Sequence, residues 1–339
     1  MRNALLLSVL VAASTLAADP SITSVTPSEG PVAGGTIVIV RGSGFSDVLL
    51  GSPPIAGVSP AVSFGSTEAA SVRFIDEQTL EVKTPPHLPT TVSISVFNRD
   101  ASGSAHLDRA FTFTGDPQSA FDPLLFPVFL PPIEGAFGAR FETTARVSNR
   151  TFAQRSTFYG IETSCYLFTP TTGPYDANVI SQSQELLTGC SRSTGRVLWV
   201  RRSGNPLVAN LRVRDTSRQA MSAGVEVPVV QLSDFTNDRI VLMGVPADPR
   251  FRKMLRVYSL DSGSVFANLS FNGQSVSPIF LKPSTSIFEP AYTELSDFPT
   301  NLPAGSTMEV SLASPSRIWA FISVTNNDTQ EITLISPQP

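Results

Sequence analysis

Hydrophobic and polar positions alternate along most of this chain. Val92, Ile94 and Val96 fall on one side of a short run and Ser93 and Ser95 on the other. Leu80 and Val82 are set against Glu81 and Lys83, and Phe111 pairs with Phe113. Near the C-terminus Ile318, Ala320, Ile322 and Val324 oppose Trp319, Phe321 and Ser323. A period of two sends successive side chains to opposite faces of a pleated strand. Between these runs, 28 prolines and 22 glycines interrupt the chain, and amphipathic helical patterns are nearly absent. Short alternating runs separated by turn residues predict an all-β protein of packed sandwiches.

Residues 21–45, SITSVTPSEGPVAGGTIVIVRGSGF, show how the pattern is built. A first strand leads into a turn in which prolines preset φ and glycines permit positive φ. The run TIVIV is apolar on both faces, which predicts a central strand covered on both sides. A second glycine turn follows, and Phe45 is placed to close the end of the core. Together with AVSFGSTEAASVRFIDEQTLEVKTPP and TVSISVFNRDASGSAHLDRAFTFTG, this stretch resembles the IPT/TIG domain over about residues 20–114. The ordered features are the P-x-x-G-P-x-x-G-G-T turn, G-x-G-F, V-x-F-G and a closing F-x-F strand. The resemblance implies an immunoglobulin-like fold used as a spacer or binding module, and it carries no shared catalytic residues. Residues 46–61 look like a long insertion at a sandwich end, where contacts with other molecules tend to sit, although an idle insertion is the simpler reading.

The expected organisation is a signal peptide over 1–18, the IPT/TIG domain over 19–115 and a proline-rich docked linker over 116–132. Two further β-sandwich domains, 133–247 and 248–339, complete the tandem of immunoglobulin-like sandwiches, with one larger sandwich as the alternative. The linker reading rests on five prolines between 117 and 132, which oppose regular structure, in a stretch too apolar to run free. The last division rests on a weak echo between FETTARVSNRTFAQRSTFYGI and IWAFISVTNNDTQEITLI, each a strand, a turn and a second strand.

The first residues carry Arg2, an apolar run over 4–13 and small residues near 15–18, the layout of a secretory signal peptide. No later stretch is apolar enough for a transmembrane helix. Export makes a disulfide between Cys165 and Cys190 the expectation, closing a loop of about 26 residues and contributing about 3 kcal/mol. The net charge of −4 is too mild to imply a strongly charged partner, and nucleic acid is a poor fit.

Candidate chemistry is sparse. The two histidines, His87 and His106, are expected in exposed loops; a Ser-His-Asp set can be drawn around His106 and Asp108, with nothing local to support it. Scattered carboxylates show no paired spacing for glycoside hydrolysis. Residues 290–299 with 233–238 offer oxygen atoms for a structural calcium but no complete ligand spacing, so neither a metal nor another cofactor is expected. The candidate ligand-binding residues are Trp199 and Trp319, as flat platforms for a sugar, and Arg201, Arg202, Arg212 and Arg214, as a basic face for an acidic polysaccharide. Core packing of the tryptophans and a solvated arginine face are the competing readings. The sequence thus points to an exported, non-enzymatic surface protein that binds an envelope polysaccharide or surface protein. An exported polysaccharide-active enzyme and a structural spacer stay open.

Overall fold

The computed structural model describes residues 19–50, 55–129, 132–149, 158–159, 177–181, 195–202, 207–217, 224–303 and 305–337. The expected signal peptide, Cys165 and Cys190 lie outside the described residues. The chain divides into two units, Met1–Ala120 and Phe121–Pro339. Both are built of β-sheets, as the alternation of the sequence requires.

The first unit contains β1 (Ser21–Thr26), β2 (Glu29–Pro31), β3 (Ile37–Ser43), β4 (Val48–Leu50), β5 (Ile55–Val58), β6 (Ala61–Phe64), β7 (Thr67–Glu68), β8 (Ser71–Asp76), β9 (Thr79–Lys83), β10 (Thr90–Phe97) and β11 (Ser104–Thr114). They form a sheet of order β1-β3-β9-β8 and a sheet of order β2-β11-β10-β6-β7; β4 and β5 make a separate hairpin within the insertion. The inward positions of both sheets meet in one core that includes Val38, Val40, Leu80, Ile94, Phe111 and Phe113. Phe45 is buried in that core at 1% exposure. The expectation that TIVIV is covered on both faces is corrected. Val38 and Val40 are buried, but Ile37 is 49% exposed, because a two-layer sandwich covers only one face of each sheet.

The GG pair of the opening turn has a steric cause. Gly34 sits at φ +70°, and a Cβ there would come within 2.4 Å of the Pro85 carbonyl carbon. The turn packs flush on residues 84–86, where only glycine fits.

Neither histidine is in an exposed loop. His106 lies on β11. His87 is 8% exposed, its Nδ1 lies 2.9 Å from the Leu88 carbonyl oxygen, and its ring stacks on Phe113 at 4.8 Å. The loop is drawn inward by the His87 amide, which donates to the Val32 carbonyl. Burial pushes the imidazole below its ordinary value of 6.5, against the opposing effect of the Leu88 hydrogen bond. As pH falls, the unfolded chain therefore takes up the proton first. The contribution of neutral His87 is complete above about pH 6.5 and is lost as pH drops toward the lower folded value. Amide exchange of β11 should accelerate as pH is lowered through this window, after correction for the intrinsic pH dependence of exchange, and His87→Phe should flatten that component.

The second unit contains β12 (Phe121–Phe126), β13 (Ile133–Glu134), β14 (Arg140–Asn149), β15 (Phe158–Tyr159), β16 (Ala177–Ser181), β17 (Arg196–Arg201), β18 (Leu207–Asp215), β19 (Val225–Val227), β20 (Val230–Gln231), β21 (Ile240–Pro246), β22 (Phe251–Ser259), β23 (Phe266–Phe271), β24 (Gln274–Ser275), β25 (Ile279–Phe280), β26 (Ala291–Leu295), β27 (Thr307–Ala313), β28 (Trp319–Asn326) and β29 (Ile332–Ile335). Four sheets result: β15-β17-β12-β20; β13-β14-β18-β19 with β16 on β14; β21-β27-β23-β24 with β25 on β23; and β26-β22-β28-β29. The first two share a core around Phe126, Ala145, Leu198, Leu211 and Val213. The other two share a larger core around Leu242, Leu255, Leu269, Val310 and Ile322.

Two expected boundaries shift. The stretch 116–132 is not an irregular linker: Phe121–Phe126 is a strand between β17 and β20. Pro123 is accommodated because the ladder to β20 engages only Leu124 and Leu125. Likewise β21, placed at the end of the expected middle domain, packs with Ile240, Leu242 and Val245 in the C-terminal core and pairs with β27, within one compact unit over Phe121–Pro339. Glycine and proline punctuation marked a turn after β21 and not the change of core.

Candidate functional site

The sequence-derived candidates fall on three different sheets of the second unit. Trp199, Arg201 and Arg202 are on or just beyond β17, Arg212 and Arg214 on β18, and Trp319 on β28. The tryptophans are interior residues, at 6% and 5% exposure. Leu198 and Val200 fill the N-terminal core of the unit from one face of β17. On the other face Trp199 Nε1 donates to the Ile287 carbonyl, and along the strand edge the Val197 N–H donates to the Phe288 carbonyl, both at 2.9 Å. Trp319 packs beside Tyr258 and Phe321, and the Tyr258 hydroxyl donates to the Pro127 carbonyl. Neither indole offers a face to a sugar.

The arginine face is neutralised. Arg214 stands opposite Glu142 and Arg212 opposite Glu226, and each pair closes at 3.0 Å. Directly facing opposite charges are the favourable cross-strand arrangement. Arg202 is exposed and pairs with Asp122 at 2.9 Å; Arg201 is exposed. Three of the four candidate arginines, Arg202, Arg212 and Arg214, therefore sit in separate ion pairs and not on one continuous basic surface.

The first unit does assemble the drawn triad. Ser95 Oγ is 2.9 Å from His106 Nδ1, and His106 Nε2 is 2.9 Å from Asp108 Oδ1. Cross-strand pairing of Ser95 with His106 brings the first two together. The imidazole is 54% exposed and the carboxylate 87%. The trio thus stands in solvent, whereas acyl transfer is favoured by a water-excluded site with preorganised donors. Among the described residues no three His, Cys, Asp or Glu side chains gather as a metal site. Among them, too, no helix is long and apolar enough to cross a membrane.

Two features were not anticipated. The first is a pair of exposed rings. Phe266 and Phe280 stand opposite each other on β23 and β25, with centroids 6.2 Å apart; Phe280 is 70% exposed. Continuing along the same outward face, Asn268 and Ser270 alternate with the buried Ala267 and Leu269. Ser270 Oγ lies 2.6 Å from Ser311 Oγ, which accepts from Arg239, itself paired with Glu309. Ser311 itself is buried, so Asn268 and Ser270 extend the rings' face over about 13 Å, taking about 3.3 Å per strand residue.

The second is a cleft of about 510 Å³ within the second unit. One wall is the sheet of β14, β18 and β19, contributing Phe141, Val213 and Val225. The other is the outward face of β22, β28 and β29, where Met254 pairs with Ser323 and Ser323 with Leu334. Farther along the same face, Tyr258 and Trp319 are fully packed. Arg252, Lys253 and Arg256 line the cleft, and Asp297, at an exposed position, is the one carboxylate among its described lining residues. Arg252 donates to Asn327 and Gln330, and its guanidinium lies over the Phe137 ring at 5.3 Å. Arg256 donates to Ser323 Oγ at 3.0 Å and lies over Phe321 at 5.8 Å. Its Nε is buried without a hydrogen bond, 3.7 Å from Glu294. Burial lowers the Lys253 pKa, and Asp248 pulls the other way.

Comparison with known proteins identifies one segment. Residues 20–113 match the family model of the IPT/TIG domain. No curated protein matches the chain. Among solved structures it is similar to an auxiliary nutrient binding protein of Bacteroides thetaiotaomicron, at 8% identity and TM-score 0.23, over 96% of this chain and 99% of that one. It is also similar to the SGBP-B of a Bacteroides ovatus mixed-linkage glucan utilization locus, in complex with a mixed-linkage heptasaccharide, at 11% identity and TM-score 0.21, over 91% and 74%. A γ-CGTase of alkalophilic Bacillus clarkii gives 16% identity and TM-score 0.23 over 64% of this chain, which spans only 25% of that enzyme. No functional argument rests on likenesses of this size.

Proposed function

We propose that this chain is an exported, non-catalytic binding protein of the bacterial envelope whose ligand is a saccharide, with the IPT/TIG domain as its first module. The observation that carries the reading is the exposed Phe266 and Phe280 pair beside Asn268 and Ser270. Large apolar rings held in water by a rigid sheet mark a contact surface. The C–H face of a pyranose covers such rings, while its hydroxyls meet the adjacent amide and hydroxyl groups. This surface replaces the Trp199, Trp319 and arginine platform that the sequence suggested.

The test is retention of the full chain on a panel of immobilised glycans and envelope polysaccharides, with Phe280→Ala beside it. Saturable retention by at least one glycan is expected, weakened roughly tenfold or more in the variant, as loss of a central aromatic contact produces. Retention unchanged by Phe280→Ala, or no retention on any glycan, would remove the saccharide reading from this face.

A further inference from the structure

We infer that the cleft between the sheets of the second unit binds an anionic amphiphile, with its hydrocarbon body against Phe141, Val213, Val225 and Met254 and its head group at Arg256 and Ser323. A volume of about 510 Å³ lies in the range of sites that enclose a small organic ligand. The lining is mostly aliphatic and aromatic, which suits an apolar body. The polar exceptions are mostly basic: Arg252, Lys253 and Arg256 line the cleft with one carboxylate, Asp297, while Glu294 stands 3.7 Å from Arg256 Nε and Asp248 acts on Lys253. Three cations in a largely apolar lining leave a positive excess even beside Glu294 and Asp248, and that excess favours an anionic head group over a neutral one.

Arg256 is the side chain best placed to meet it. Its side chain is 16% exposed, with Nη1 on Ser323 and the ring of Phe321 alongside. The buried Nε has no hydrogen bond, and Glu294 at 3.7 Å is too far to supply one. A carboxylate or phosphate at the cleft would meet the guanidinium through its terminal nitrogens and the Ser323 hydroxyl, a charge-assisted contact that guanidinium groups favour. A sugar hydroxyl could accept from the same N–H groups but would bring no charge, and its other hydroxyls would face Phe141, Val213 and Val225 on the opposite wall. The saccharide surface and this cleft are thus separate sites with different chemistry.

Isothermal titration of the full chain with decanoate, and with 1-decanol as the uncharged control of equal chain length, tests the inference. Decanoate is expected to bind saturably at one site, and decanol at least tenfold more weakly. Arg256→Met should weaken decanoate roughly tenfold or more, the loss of a charge-assisted contact, and Met254→Trp should block the cleft. Phe280→Ala should leave decanoate binding unchanged whether or not glycan retention is observed. Co-sedimentation with phosphatidylglycerol vesicles, against phosphatidylcholine vesicles, distinguishes a membrane-lipid source from a free amphiphile. Failure of both decanoate and phosphatidylglycerol to bind would overturn the inference. So would decanol binding as tightly as decanoate, or binding unaltered in a folded Arg256→Met protein.

Discussion

Replacing Glu289 with alanine will destabilise the second unit by about 3–5 kcal/mol, the usual consequence of stripping one partner from a buried ion pair. Arg196 on β17 is 7% exposed and Glu289, in the loop before β26, is 16% exposed; their closest atoms are 2.9 Å apart. The pair sits beside the backbone bond from Val197 to Phe288 and the indole bond from Trp199 to Ile287. Removing the carboxylate leaves a guanidinium in an interior that water reaches poorly, while the surrounding contacts hold it there. Both tryptophans of the chain, Trp199 and Trp319, are buried in this unit, so indole fluorescence during urea unfolding reports on it alone. The midpoint should fall with little change in slope. The double replacement Arg196→Met with Glu289→Leu should recover most of the loss, because two apolar groups no longer need each other. A single-variant loss below about 1 kcal/mol would mean that water or a neighbour already screens the pair.

Phe111→Ala should cost the first unit a similar amount, about 3–5 kcal/mol, through lost burial and the cavity left behind. Phe111 is fully buried and meets Phe64 edge-on at 5.4 Å and Phe113 at 4.9 Å. These three rings join β6 to β11 at the centre of the core. Indole fluorescence is silent here, so amide exchange of β3, β9, β10 and β11 is the measurement, and their slowest amides should lose protection. Phe97→Ala is the control: that ring is 50% exposed, and the change should stay within about 0.5 kcal/mol. Equal effects from the two substitutions would contradict the assignment of the core.

Period-two alternation made the strands legible, because the face a side chain takes is a local property. What covers that face is not. Trp199 and Trp319 were ambiguous for this reason, although the consecutive apolar residues Val197, Leu198, Trp199 and Val200 already carried the mark of a strand covered on both sides. Arg212 and Arg214 read as a basic face because their neutralising partners come from other strands. Glu142 lies 72 residues from Arg214, so its position depends on register. Phe266 and Phe280 look like two ordinary core residues until β25 is seen to pair at the end of β23. The strand around Pro123 was missed by applying a rule about ladders without knowing where the neighbouring ladder ends.

The ladder between β2 and β11 has a mechanical consequence. It is parallel, aligning Glu29 with Thr112 and Pro31 with Thr114, and it joins a strand near the start of the first unit to the strand that ends it. The amide of Val32 donates to Thr114 and that of Thr112 to Ser28, both at 2.9 Å. Tension applied along the chain draws two parallel strands past each other, so these bonds bear the load together and not one after another. A hairpin loaded at its open end would instead unzip. Survival under force is governed by the rate of rupture, and this arrangement gives the first unit the character of a clasp that resists being drawn out from its two ends.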